Sequence, residues 1–81
     1  MSRKLFEVCL EIRREWKPKV SPYALPYLQA MESLDNLKQN YICDSGVSCA
    51  LYFLANAQSF KGEAAKRIKL ELKAMVAEAQ K

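Results

Sequence analysis

Val47-Ser48-Cys49-Ala50-Leu51-Tyr52-Phe53-Leu54-Ala55-Asn56-Ala57 is the stretch whose reading decides the fold. At about 1.5 Å per residue it reaches only about half way across a hydrocarbon core that needs roughly 20 apolar residues, so it is not a membrane span. A short continuous apolar run suits either a buried strand or a buried helix. Its three alanines and two leucines decide for the helix, because Ala is the best helix former and is depleted in strands. Apolar residues occupy every side of its helical wheel, which predicts a central helix over about 46–57 enclosed by protein, with Leu51, Phe53 and Leu54 nearly inaccessible.

The flanks mark where this helix begins and ends. Cys43-Asp44-Ser45-Gly46 places turn formers before it, and Asp44 or Ser45 can cap its first turn. After Asn56 the apolar run fades through Gln58-Ser59-Phe60-Lys61-Gly62, where Ser59 can cap a last helix over 60–79 and Glu63 suits its positive end. Ala65, Ile68, Leu72, Met75, Val76 and Ala79 form that helix's buried stripe. Further upstream, Tyr27, Met31, Leu34, Leu37, Tyr41 and Ile42 predict an amphipathic helix over 26–42, preceded by a short turn from Pro22. At the start of the chain, Leu5, Val8, Cys9, Ile12 and Trp16 keep helical spacing, predicting a helix over 3–17 capped by Ser2 and stopped by Pro18.

Length and composition agree with four packed helices. Eighty-one residues make one small domain, and 51% hydrophobic with 27% charged residues is a globular balance. Two glycines and three prolines are too few for the turns of a sandwich or barrel. The expected fold is all-α, a compact four-helix domain around the central buried helix.

The chemistry of the side chains argues against catalysis. There is no histidine, the commonest general base near neutral pH, and most of the nine carboxylates fall on polar helix faces. Cys9, Cys43 and Cys49 are an odd number, which fits a reduced cytoplasmic setting better than a secreted disulfide framework. Cys43 and Cys49 lack the C-x2-C pair of a convincing zinc site, so no metal or other cofactor is expected, and Cys9 and Cys49 read as small buried apolar residues. Glu7, Glu11 and the Arg13-Arg14-Glu15 cluster break any signal-peptide core, and no targeting segment or membrane association is expected.

What remains are surfaces. A net charge of +4 and a pI near 9.1 favour an acidic partner. Phe6 and Leu10 lie about 100 degrees or more from Leu5 on the first helix, among Arg3, Arg13, Arg14 and Lys17, and form a second apolar patch ringed by cations. Lys66, Lys69 and Lys73, spaced i, i+3, i+7, make one basic strip on the last helix, with Glu71 placed to pair with Arg67 on the other flank. Tyr23, in the proline turn, is the candidate stacking ring, since the other aromatics fall at core spacing. The predicted partner-binding residues are therefore Phe6, Leu10, Arg13, Lys17, Lys66, Lys69 and Lys73.

Asp44-Ser45-Gly46, Tyr52-Phe53-Leu54-Ala55-Asn56-Ala57, Gly62-Glu63-Ala64-Ala65 and Arg67-Ile68-Lys69-x-Glu71-Leu72 resemble short uncharacterised accessory proteins of tailed bacteriophages, over about 27–75. The resemblance implies a host-cytoplasmic protein that binds one host or phage complex, such as a nuclease, a polymerase or a CRISPR-type defence complex. The basic charge departs from the acidic nucleic-acid mimics among such inhibitors. The expected function is a non-enzymatic modulator that binds a protein partner. The alternatives are a sequence-nonspecific nucleic-acid binder and a homo-oligomeric accessory protein, with a homodimer as the simplest form. No helix-turn-helix signature supports a recognition helix.

Overall fold

The apolar spacing of the first segment becomes the buried face of α1 (Leu5–Glu15), where Leu5, Val8, Cys9 and Ile12 are all inaccessible. A computed structural model describes residues 4–16, 19–41 and 44–80 of the chain. Ser2, Arg3, Lys17, Pro18, Ile42 and Cys43, which carried expectations above, lie outside the described residues. The start of α1 is held by the Lys4 backbone N–H, which donates to Glu7 Oε1 at 3.0 Å, half of a capping box. Trp16 closes the helix in extended conformation, its N–H still bonded to the Ile12 carbonyl at 2.9 Å.

A turn from Pro22 leads into α2 (Leu25–Glu32), with Pro26 in the first turn where its missing N–H costs nothing. The helix ends ten residues before the expected 42. Local side-chain bonds compete with it: Ser33 Oγ donates to the Gln29 carbonyl at 3.3 Å, Asn36 Oδ1 accepts from the Lys38 N–H at 2.8 Å, and the Gln39 side chain accepts from the Asp35 N–H. Leu34 and Leu37 nevertheless stay buried, reaching the core from irregular backbone. The predicted helix forms only in its first part, and Leu34 and Leu37 keep their predicted burial beyond its end.

The reversal expected at 43–46 includes a short antiparallel ladder. β1 (Asn40–Tyr41) pairs with β2 (Asp44–Ser45), Asn40 opposite Ser45 and Tyr41 opposite Asp44. Ser45 then caps α3 (Gly46–Ala55), its Oγ accepting from the Ser48 N–H at 3.0 Å. Gly46 is required by contact: a Cβ there would lie 2.7 Å from the Leu37 carbonyl oxygen and 2.9 Å from that of Gln39. The Gly46 N–H also donates to the Gln39 carbonyl at 2.7 Å, so this residue ties the irregular 33–39 segment to α3.

α3 packs between α2 and α4 (Glu63–Ala79) and buries Cys49, Ala50 and Phe53. It is not enclosed on every side, as its uniform apolarity suggested. Leu51 is 48% exposed, Tyr52 is exposed with its ring against that of Tyr27 at 5.5 Å, and Leu54 is only partly buried. The reason is scale: a chain of this length buries only about 60% of its unfolded surface, and two flanking helices leave the outer side of a third uncovered.

α4 begins three residues later than expected, after Gly62 rather than at a Ser59 cap. Gly62 has φ +107°, a left-handed conformation that glycine adopts without steric cost. Ala65, Ile68, Leu72 and Val76 face the core, with Met75 and Ala79 partly buried beside them. α1 packs on α2 and α4, so both α1 and α3 are flanked by the other two helices. The radius of gyration, 11.4 Å, matches the roughly 12 Å expected for a compact 81-residue domain. The fold is the expected all-α four-helix domain, and no helix among the described residues is long and apolar enough to cross a membrane.

Candidate functional site

The α1 patch forms as its spacing predicts. Phe6 is 49% exposed and Leu10 55%, one turn apart on the flank of α1 that adjoins α2. Arg13, expected to serve a partner, forms an ion pair within the fold. Its guanidinium grips the Glu32 carboxylate at the end of α2, with Nη2 donating to Oε1 at 2.9 Å and Nε to Oε2. That hydrogen bonding, outweighing partial desolvation, raises the Arg13 pKa above its ordinary value. Lys17 lies outside the described residues.

Phe6 also opens onto ground that helical periodicity alone does not reveal. A depression of about 180 Å³ lies between Phe6, Lys4, Leu34 and Asp35. Lys4 and Asp35 are shared with a larger groove of about 370 Å³, floored by Leu5, Leu37, Met75 and Ala79 and rimmed by Lys38 and Glu78. The groove joins the start of α1, the irregular segment after α2 and the end of α4. Its construction depends on α2 ending at Glu32, which the amphipathic pattern over 26–42 concealed.

On α4, Lys66 and Lys73 are exposed, as a solvated or partner-facing strip requires. Lys69 is different. Its Nζ donates to the Phe60 carbonyl at 2.7 Å and sits 5.8 Å from the Phe60 ring centroid, so it braces the α3–α4 connection. Partial burial lowers its pKa, and the charges of Lys73 and Lys61 lower it further. Lys61 therefore belongs to the same cationic cluster, although it lies in the preceding loop and outside the helical spacing used to find the strip. On the other flank, Arg67 reaches α1 and binds Glu11 with both terminal nitrogens, Nη1 to Oε1 at 3.2 Å and Nη2 to Oε2.

Tyr23 is 77% exposed in the turn before α2, as a stacking ring would have to be. Cys9 and Cys49 are buried free thiols, and Cys43 lies outside the described residues. Among the described residues no group of three or more metal-ligating side chains assembles. Several carboxylates hold structural contacts: Glu11 with Arg67 and Arg14, Glu15 with Arg14, Glu32 with Arg13, and Glu7 with the Lys4 backbone. Compared with known proteins, the chain matches no family, no curated protein and no solved structure.

Proposed function

We propose that this chain is a non-enzymatic helical protein whose task is to bind one macromolecular partner, and that the Phe6/Leu10 side of α1 is a contact face. The observation that carries the reading is the pair of half-exposed large apolar side chains on a helix whose opposite stripe is wholly buried. A straight helix cannot turn both sides to one core, so the second side is free for another molecule. Continuity with the groove beyond Lys4 and Asp35 gives that face both a raised apolar edge and a recess. The use of Glu7, Glu11, Glu15 and Glu32 in structural contacts supports a binding role over acid–base chemistry.

In this proposal, which follows the resemblance to phage accessory proteins, the partner is a host nucleic-acid-processing or defence complex and the protein acts on it in the host cytoplasm as a modulator. The test is affinity purification from the native host, followed by reconstitution from purified components and calorimetric titration. A saturable complex of defined stoichiometry supports the proposal. Failure of every recovered protein to bind once purified contradicts it.

A further inference from the structure

The second exposed surface lies between α3 and α4. Tyr52 packs on Tyr27 of α2, and Val47, Leu51 and Leu54 lie about 100° or more round the wheel from it, on another flank of α3, a helix that also packs on α4. Those three residues are spaced i, i+4, i+7 and form an apolar ridge about 10 Å long. On α4, Arg67 points to α1 through Glu11, so Lys66, Lys69 and Lys73 run along the opposite flank, on the α3 side. Their i, i+3, i+7 spacing makes a cationic row of the same length, about 10 Å. The exposed members are Leu51, Lys66 and Lys73, while Val47, Leu54 and Lys69 are partly buried. Leu70, 68% exposed on the outer side of α4, extends the apolar character beyond the lysines.

We propose that this α3–α4 shelf docks an amphipathic helix of a partner protein that carries carboxylates along one edge of its apolar face. Two rows of equal length on neighbouring helices, one of leucines and valine and one of lysines, are the complement of a helix with apolar residues at i, i+4, i+7 and acids on the adjoining flank. None of the ion pairs formed among the described residues uses Lys66 or Lys73. The crowding of Lys61, Lys69 and Lys73 works in the same direction, because an incoming carboxylate relieves repulsion that now disfavours the Lys69 charge. A nucleic acid is the poorer fit: aliphatic side chains offer no stacking platform beside the lysines, and Tyr23 belongs to the α1–α2 turn. The inference rests on the binding role proposed above but names a different face from Phe6/Leu10.

The experiment is a backbone-amide NMR titration of the whole chain at physiological salt. The probe is a synthetic 18-residue helical peptide with leucines at i, i+4, i+7 and i+11 and glutamates on one flank. A control peptide carries lysine at every glutamate position. The glutamate peptide is expected to shift the signals of residues 47, 51, 54, 66, 70 and 73 saturably, and the lysine peptide to leave them unmoved. Lys66→Glu/Lys73→Glu, at two exposed positions, is expected to keep the same unfolding midpoint, weaken the glutamate peptide roughly tenfold or more, and bind the lysine peptide instead. Equal response to both peptides, no saturation, or a tighter response to a 20-base-pair DNA duplex or to anionic vesicles at the same residues would overturn the shelf. Shifts confined to Phe6 and Leu10 would also overturn it while leaving the general binding role standing.

Discussion

The indole of Trp16 lies nearly flat on the ring of Phe60, with centroids 4.9 Å apart and planes 13° apart, and stands nearly perpendicular to the Phe53 ring at a centroid distance of 6.1 Å. Three segments meet in this stack: the end of α1, the interior of α3 and the connection leading to α4. Phe60 is also the residue whose carbonyl and ring hold Lys69. The stack therefore fixes both the helix bundle and the position of the basic row.

Truncating either stacked ring should be costly. Trp16→Ala and Phe60→Ala are each expected to lose about 3–5 kcal/mol, as large aromatic truncations in cores do. Urea denaturation of the two single variants and the double variant should give a coupling of about 0.5–1.5 kcal/mol for the ring pair. Additive losses would mean the rings merely fill space independently.

The two sides of α3 should respond differently to substitution. Phe53→Ala removes an inaccessible ring and is expected to cost about 3–5 kcal/mol. Leu51→Ala, at a half-exposed site, should cost at most about 1 kcal/mol. Thermal unfolding of both variants decides the matter: a large loss at Leu51 would require a covered outer face, as in a tight homodimer.

Cys9 gives the fold a pH signature. Burial pushes its thiol up to about 12 from the usual 9.0, with the Glu32 charge adding to the shift and Arg13 opposing it. The folded state thus favours the neutral thiol. The associated stability is fully present below about pH 9, where the unfolded thiol is also neutral, and is lost as pH rises toward 12. Across that window wild type should lose more stability than Cys9→Ala in parallel denaturation series. At pH 8, alkylation localised by mass spectrometry should spare Cys9 in the native protein and modify it after denaturation. Equal slopes with pH, or rapid native alkylation, would place Cys9 outside the core.

Much of this fold is legible in the chain because helical spacing carries the burial of α1 and α4 directly. Leu5, Val8, Ile12, Ile68 and Leu72 are buried where their periodicity puts them. Periodicity misleads where a stripe continues without a helix. Leu34 and Leu37 keep the spacing of α2, yet side-chain bonds from Ser33, Asn36 and Gln39 draw the backbone away, and only the run of polar residues around them signals it. The uniform apolarity of 47–57 could not show which side goes uncovered, since that depends on how many helices reach it. At the surface, Phe6 and Leu10 were visible as misfits on a wheel. The commitment of Arg13 to Glu32, and of Lys69 to the Phe60 carbonyl, needed the third dimension because each joins separate structural segments.

The most direct test of the binding role is the affinity of Phe6→Ser/Leu10→Ser for the purified partner, measured by calorimetry beside wild type. Both side chains are about half exposed, so the double variant should unfold within a few degrees of wild type. The account predicts a loss of at least about 2 kcal/mol in binding, roughly thirtyfold in Kd, as for paired apolar anchors at an interface. A folded double variant that binds its partner as tightly as wild type would contradict it.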